Sequence, residues 1–172
     1  MKKLFFTVLL AIAVPVVASA DNSLARFNGA ISVDPVRGVD ANNAPVSNTV
    51  CGVSPGVTPW QIENLRAKIQ DDGSIVVDGR GLLVAASNGI GTNLGQTIQA
   101  ELFCNTSSAT CGTPFTTNPT GVPLDADGDF HIDDTLSPLP PMTCPNPVLL
   151  ITQIPAKGGR WFAAGISMGS NH

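Results

Sequence analysis

Apolar and polar residues alternate most clearly in residues 65–86, LRAKIQDDGSIVVDGRGLLVAA. The first six of these residues have the period of two that places apolar side chains on one face of a half-buried strand. The Asp-Asp-Gly run at 71–73 is typical of a tight turn, because glycine accepts positive φ and an aspartate side chain can bond the backbone ahead of it. The pattern therefore predicts a β-hairpin whose return strand occupies residues 74–77.

A second Asp-Gly pair, Asp78 and Gly79, with Gly81 behind it, leads into an apolar run at 82–86 that suits a strand covered on both faces or a tight sheet bend. Upstream, residues 21–48 begin with alternating apolar residues and then become polar and turn-rich. This segment predicts one early strand and a long loop. Residues 49–168 carry the remaining strand signals and are predicted to form the main β domain.

Further strands are predicted along the rest of the chain. Residues 97–104 alternate without interruption, with Cys104 on the apolar face. Short apolar segments flank the turn sequence DADGD at 125–129, and two longer ones flank PAKGG at 155–159, so each pair predicts a hairpin. With seven to nine strands and no helical pattern, the sequence predicts an all-β, antiparallel two-sheet β-sandwich, immunoglobulin-like or similar.

The first 20 residues have the pattern of a secretory signal peptide. Lys2 and Lys3 precede an apolar run at 4–17, and an A-x-A arrangement ends at Ala20. The apolar run is shorter than the roughly 20 residues of a membrane-spanning helix, and no later segment is long and uniform enough to be one. Export to the periplasm or beyond is predicted, with no membrane attachment after cleavage.

Length and charge restrict the mature chain further. Removal of the first 20 of 172 residues leaves 152, enough for a single domain, 21–172, with one core. Cleavage removes two of nine basic residues and leaves 7 against 13 acidic ones, a formal charge of −6. This acidic balance disfavours nucleic acid and anionic lipid as partners.

The four cysteines, Cys51, Cys104, Cys111 and Cys144, predict two disulfides in an exported chain. Cys104 and Cys144 can be paired, which leaves Cys51 with Cys111. Alternatively, a local bridge joins Cys104 to Cys111 and leaves Cys51 with Cys144. Both arrangements give all four residues a structural role and leave no thiol for catalysis.

Asp125, Asp127 and Asp129 crowd oxygen ligands in one segment and are the candidate calcium ligands. An EF-hand loop starting at Asp125 needs glycine at its sixth position and glutamate at its twelfth, where this chain has Phe130 and Leu136. The favoured interpretation is a turn with a solvated acidic face, and weak calcium binding is the alternative. No other cofactor is predicted.

His131 is the only histidine before the last residue, so it would have to be the catalytic histidine in any histidine-dependent reaction. Asp133 lies on the same side of the predicted strand and supplies half of a dyad, but no serine has the G-x-S-x-G context. The favoured function is therefore a non-catalytic module, structural or protein-binding, in the cell envelope or outside the cell. The alternative is a hydrolase or metal-dependent enzyme that uses the acidic segment around His131.

The ligand is predicted to be an unknown protein or another surface ligand. Carbohydrate binding is weakened by the scarcity of aromatic residues, because the chain has seven phenylalanines, two of them in the signal segment, two tryptophans and no tyrosine. A protein that adds to an edge strand is at least as well supported. Trp60 is predicted to fill the core rather than to act as a ligand platform.

Six segments resemble parts of small exported bacterial proteins that have no assigned activity. They are PGVTPWQI, DGSIVVDGRGLLV, IQAELFC, LDADGDFHI with SPLPPMTCPNPVLLI, and GGRWFAAG. The resemblance covers most of residues 51–166 and implies a single β-sandwich domain. It also implies the Cys104–Cys144 pair, with Cys51 and Cys111 an addition in this chain, and it transfers no catalytic residue.

Overall fold

The structure, a computed structural model, describes residues 22–105 and 111–169. The predicted signal peptide lies outside the described residues and stays a prediction. Within the described residues, regular structure consists of strands and a single 3-10 turn at Pro155–Lys157. The strands are β1 (Ser23–Ser32), β2 (Val36–Val39), β3 (Pro45–Ser47), β4 (Trp60–Gln61), β5 (Asn64–Gln70), β6 (Ser74–Arg80), β7 (Leu83–Val84), β8 (Thr97–Phe103), β9 (Phe115–Thr116), β10 (Val122–Pro123), β11 (Phe130–Thr135), β12 (Val148–Gln153) and β13 (Trp161–Ser167).

Nine of these strands form one sheet in the order β10-β8-β12-β13-β1-β5-β6-β11, with β9 also paired to β8. All of its pairings are antiparallel. Two small sheets, β2-β3 and β4-β7, complete the fold. The prediction of an all-β, antiparallel protein is therefore confirmed.

The main sheet curls into a half-barrel. Its two ends approach each other where Thr116 of β9 and Ser137, just after β11, exchange backbone hydrogen bonds of 2.9 and 2.8 Å. The Asn118 N–H also donates to the Asp134 carboxylate at 2.7 Å. Two clearly separate sheets are not formed, because pairing of β1 with β13 joins the two halves into one continuous ladder.

One apolar core fills the curl of the sheet. In β5 and β6 buried and exposed residues alternate, as the sequence pattern predicts. In β8 every residue after Thr97 is buried, and in β12 every residue after Val148 is buried. These two strands are therefore covered on both faces. The largest fully buried side chains are Trp161, Phe103, Leu65, Ile69, Ile75, Leu82, Ile98, Leu102, Leu149, Leu150, Ile151 and Gln99.

Three details of the sequence interpretation are wrong. Strand β6 continues through Asp78 and Gly79 to Arg80, and the chain bends at Gly81, which has φ +66°. Gly79 is required by packing rather than by a turn, since a Cβ there would overlap the Phe130 ring. The segments around DADGD do not pair with each other, because β10 pairs with β8 and β11 pairs with β6.

The third error concerns the predicted long loop before residue 48. Part of this segment is not a loop but forms the hairpin β2-β3. Asp40 organises its turn, because its carboxylate accepts hydrogen bonds from the N–H groups of Ala44 at 2.9 Å and Asn42 at 2.8 Å. These two bonds hold the pKa of the Asp40 carboxyl below its usual value. An aspartate that bonds the backbone ahead of it is a turn signal, and here it closes a hairpin.

Both disulfides are present. Cys51 bonds Cys111 with a Cα–Cα distance of 4.8 Å, and Cys104 bonds Cys144 with a Cα–Cα distance of 4.6 Å. The pairing implied by the resemblance is therefore confirmed, and the local Cys104–Cys111 alternative is wrong. Two disulfides indicate a non-reducing environment. No helix in the described part of the chain is long and apolar enough to span a membrane.

Candidate functional site

The outer surface of β5, β6 and β11 is the most highly charged part of the sheet. Alternation turns the apolar residues of these strands inward and the polar ones outward. Strand register aligns Arg66, Asp78 and His131 in one row across the three strands. We call this surface the charged face, and its exposed residues are Asn64, Arg66, Lys68, Val76, Asp78, Arg80, His131, Asp133 and Thr135.

His131 contacts Asp78 across the sheet, with a distance of 2.8 Å between Nδ1 and Oδ1. The two side chains are 59% and 65% exposed. The sequence prediction placed Asp133 beside His131 as the dyad partner, and that assignment is wrong. Directly opposed residues on neighbouring strands have Cβ atoms about 5 Å apart, closer than residues two positions along one strand. The sequence pattern does not indicate Asp78 as a partner of His131, because an Asp-Gly pair is typical of a turn.

An open groove of about 530 Å³ lies over this row of residues. Its two guanidinium groups, from Arg66 and Arg80, form no hydrogen bond or ion pair within residues 22–105 and 111–169. The lining residues are Asn64, Arg66, Asp78, Gly79, Arg80, Asp125, Asp129, Phe130 and His131. The groove therefore offers unused hydrogen-bond donors on rigid strands.

The acidic residues at the end of the groove already have roles in the fold. The Asp125 Oδ1 atom accepts hydrogen bonds from the N–H groups of Asp127 at 3.0 Å and Asp129 at 2.8 Å. The Asp129 Oδ1 atom accepts from the Gly81 N–H at 3.0 Å and ties the turn to the bend after β6. This is the Asx-turn chemistry expected of aspartate in a turn.

The predicted calcium ligands Asp125, Asp127 and Asp129 share this turn. Among the described residues, no three His, Cys, Asp or Glu side chains are grouped closely enough to hold a metal ion. Calcium binding at these residues stays a prediction.

A second, shallower depression adjoins the groove on the side of β1 and has a volume of about 330 Å³. The two depressions share Arg66. Arg26 on β1 lies directly opposite Lys68 on β5, and both line this second depression. The charged face thus becomes predominantly basic towards β1, since neither β1 nor β5 contains an acidic residue.

A buried polar cluster, which the sequence interpretation missed, lies on β8 and β12. The Gln99 Nε2 atom donates to Glu101 Oε1 at 2.9 Å, and the Thr152 hydroxyl donates to the same oxygen at 3.0 Å. All three residues are buried. The Gln99 Oε1 atom has no hydrogen-bond partner among the residues that the structure describes. Phe103 lies on the same face of β8 as Gln99 and Glu101, and this apolar side chain is the one feature of the sequence that indicates a covered face.

Trp60 is a core residue, as predicted. It is 3% exposed, and its ring stacks on Phe162 with centroids 4.3 Å apart. Its ring is therefore not available as a ligand platform.

Comparisons of the chain with protein-family models, with curated proteins and with solved structures find no match. The similarity to small exported bacterial proteins accordingly stays a prediction.

The groove therefore combines a potential base with donors for anions. Asp78 can orient the His131 ring, which is the role of the acid in a histidine dyad. Guanidinium groups bind carboxylate and phosphate oxygens in a bidentate manner. The lining residues named above include no serine, threonine, cysteine or lysine. The lining therefore offers no hydroxyl, thiol or amine nucleophile, and hydrolysis in this groove would have to use water or one of its carboxylates.

Proposed function

We propose that this chain is an exported, disulfide-stabilised binding module that recognises its ligand with the charged face. The observation that carries the proposal is the pair of Arg66 and Arg80 guanidinium groups, which share one groove and are used by nothing in the described fold. Both belong to strands in the interior of the main sheet. Side chains on strands are held more precisely than side chains on loops, which favours recognition.

The proposed location is the periplasm or the extracellular space. The signal-peptide pattern of residues 1–20 and the two disulfides support it. The formal charge of −6 for the predicted mature chain argues against a nucleic acid partner. The candidate ligands are therefore a protein or a surface component of the cell envelope.

A second candidate function is hydrolysis of an ester by water, with His131 as the general base. The 2.8 Å contact between His131 Nδ1 and Asp78 favours it, since the contact leaves Nε2 available to accept a proton from water. Chromogenic carboxylic and phosphate esters test this function. Turnover that is lost in both His131→Gln and Asp78→Asn would replace the module by a hydrolase.

The binding function is tested by NMR with the isotope-labelled mature protein. Protein and polysaccharide fractions of the cell envelope are titrated separately, and backbone amide shifts are mapped onto the strands. We expect shifts in β5, β6 and β11 around Arg66, Arg80 and His131, because these residues line the groove. Shifts confined to the β2-β3 hairpin, or no shifts with any fraction, would overturn the proposal.

A matched pair of variants controls that experiment. Arg66→Gln with Arg80→Gln removes both guanidinium groups from the groove, whereas Arg37→Gln removes an exposed cation from the separate β2-β3 hairpin. The double variant is expected to lose the ligand-induced shifts. Arg37→Gln is expected to keep them. Equal loss in both would show that the effect follows net charge and not the groove.

A further inference from the structure

We propose that the groove binds an acidic sugar, with Arg66 and Arg80 holding the carboxylate and the surrounding Asn and Asp side chains bonding the hydroxyl groups. This inference rests on the proposed binding function and specifies the ligand class. The groove lies on the outer face of the sheet and is formed by residues of β5, β6 and β11 and of the turn before β11.

The proposed anion-binding half of the site consists of two guanidinium groups that bond to nothing else in the described residues. Arg66 and Arg80 are exposed, line the same groove and have no partner in the described residues. A guanidinium presents its N–H groups in a planar fork that matches the two oxygens of a carboxylate. Two such groups around one opening can therefore fix the position of a carboxylate on a ring.

The neighbouring cations strengthen this attraction at longer range. Of the seven basic residues after position 20, Arg26, Arg66, Lys68 and Arg80 line the groove or the adjoining depression. Four of the seven cations are thus concentrated in one part of the surface, where the carboxylates of Asp78, Asp125 and Asp129 offset part of their charge. The depression extends the surface from β5 towards β1, so a short oligomer has room beyond a single sugar.

The acidic residues in the lining disfavour anions that carry many charges and few hydroxyl groups. The groove also holds Asp78, Asp125 and Asp129, so its two guanidinium groups share the lining with three carboxyl groups. A densely charged polyanion would meet repulsion from these carboxylates. A ligand that carries one carboxylate and several hydroxyl donors matches the mixture, because the aspartates and the Asn64 side chain can accept from those hydroxyls. An acidic peptide offers the carboxylate but few hydroxyl groups.

Charged hydrogen-bond donors can also compensate for the scarcity of aromatic rings in this groove, which is the main objection to a sugar ligand. Sugar sites often use aromatic platforms, and the only aromatic ring beside the imidazole in this lining is Phe130, which is 7% exposed. Charge-assisted hydrogen bonds are roughly twice as strong as neutral ones, so they can replace stacking as the source of affinity. Because the groove is open to water, the binding is expected to weaken as salt is added.

The test is calorimetry and NMR with the mature protein and tetragalacturonate. The matched ligand is the methyl-esterified tetramer, which keeps the rings and loses the negative charges. Binding of the acid is expected to be at least about tenfold tighter than binding of the ester, in keeping with the strength of hydrogen bonds to charged groups. Equal binding of acid and ester, or no saturable binding of the acid, would overturn the inference.

Protein variants tie the binding to the groove. Arg66→Gln and Arg80→Gln are each expected to weaken tetragalacturonate binding about tenfold. Arg66→Lys keeps the charge without the planar fork and is expected to fall between Arg66→Gln and the wild type. Arg37→Gln is expected to bind as the wild type does. A loss with Arg37→Gln as large as with Arg66→Gln would contradict the assignment to the groove.

Two further probes separate this inference from the proposed function. Inorganic sulfate supplies an oxyanion without a sugar ring, and a glutamate-rich peptide supplies carboxylates on a polypeptide. Binding of either probe as tight as that of tetragalacturonate would overturn the sugar assignment, while leaving the charged face as a binding surface. If tetragalacturonate fails and an envelope fraction still shifts the charged face, only the ligand class is wrong. If no fraction shifts it, both proposals are wrong.

Discussion

Strand β5, in the β5-β6-β11 part of the sheet, and strand β8, in the β8-β12 part, have similar alternating patterns but opposite surroundings. Strand β5 reads NLRAKIQ and alternates between exposed and buried residues, so its polar side chains form the charged face. Strand β8 reads TIQAELF and alternates in the same way as far as Leu102, yet its Gln99 and Glu101 are buried. A period of two therefore identifies a strand and its core face, but it does not indicate whether the other face is exposed to solvent or covered.

The two regions also use polar groups in different ways. On the charged face a side chain that lacks a protein partner can bond water, so Arg66 and Arg80 remain free to bind a ligand at little cost to stability. In β8 and β12 water is excluded from the side chains, and Glu101 instead accepts hydrogen bonds from Gln99 and Thr152. We therefore expect mutations in the buried region to change stability, and those on the charged face to change binding.

The largest effect is expected from removing the Cys104–Cys144 disulfide, which follows β8. Cys104→Ser with Cys144→Ser removes a bridge between positions 40 residues apart without leaving a free thiol. Loss of a native disulfide from a small exported domain costs about 2–5 kcal/mol, so a clear fall in the thermal midpoint is expected. Calorimetric melts measure it, and an unchanged midpoint would contradict a structural role for this bridge.

Cys51→Ser with Cys111→Ser is the matched control, since it opens the other bridge, which spans 60 residues. Amide shifts of β5, β6 and β11 serve as the second measurement. We expect them to stay native below the melting range in the Cys104→Ser, Cys144→Ser variant. Their collapse at temperatures where the rest of the protein remains folded would show that the charged face depends on the disulfide more than the buried region does.

The sequence predicted local structure well wherever short-range chemistry decides it. The β5-β6 hairpin, the inward side of Phe130 and Ile132 and the closing hairpin β12-β13 follow from alternation and from turn residues. Pairing between distant segments was not predictable in this way. Strand β10 pairs with β8 and not with its neighbour β11, and that choice depends on how the whole sheet curls.

The same limit applies to the candidate site. His131 was identified because it is the only histidine before the last residue, but its partner Asp78 lies 53 residues away and is set by strand register. Arg66 and Arg80 have no sequence feature that separates them from other exposed cations. Their grouping emerges only when β5 and β6 are paired and the turn before β11 closes one end of the groove.

A smaller effect is expected when Glu101 is replaced by alanine. Glu101→Ala leaves the Gln99 amide and the Thr152 hydroxyl as buried donors without an acceptor. An unsatisfied buried group costs about 1–3 kcal/mol. Asp78→Ala on the charged face is the matched carboxylate removal and is expected to change stability by no more than about 0.5 kcal/mol. Chemical denaturation of both variants measures the difference.

Glu101→Gln separates the hydrogen bonds from the size of the side chain. Its amide oxygen can still accept from Gln99 and Thr152, so it is expected to be less destabilising than Glu101→Ala. If Asp78→Ala were as destabilising as Glu101→Ala, the division between a stabilising buried region and a binding face would be wrong.

A still smaller effect is expected from Asp72, in the turn that joins β5 to β6. Its Oδ1 atom accepts hydrogen bonds from the Ser74 hydroxyl at 2.7 Å and the Ser74 N–H at 2.9 Å. These bonds lower the pKa of the Asp72 carboxyl. A lowered pKa in the folded state stabilises the protein above the unfolded pKa of about 3.9, and this stabilisation is lost as the pH falls through the folded pKa.

Asp72→Asn should therefore flatten the loss of stability in acid below about pH 4, and reduce stability slightly at neutral pH. Asp71→Asn, the neighbouring substitution with the same change in charge, is the control. Denaturation midpoints between neutral and acid pH measure both variants. An acid limb that is identical in Asp72→Asn and in the wild type would contradict a role for the Ser74 bonds in holding this hairpin.

The smallest effect is expected from calcium at the acidic turn on the edge of the charged face. Asp125 Oδ1 already accepts two backbone hydrogen bonds and Asp129 Oδ1 accepts one, so a cation would have to compete with them or use the remaining oxygens. A weak extracellular-type site with a Kd of about 10⁻⁴ to 10⁻³ M would add at most about 1.4 kcal/mol at about 1 mM calcium. We expect the protein to fold in chelator, and calcium to raise the thermal midpoint no more than magnesium does.

The variant Asp125→Asn, Asp127→Asn tests the site directly, with Asp133→Asn as the control on the same face. A large gain with calcium that disappears only in the first variant would make this turn a metal site at the end of the groove.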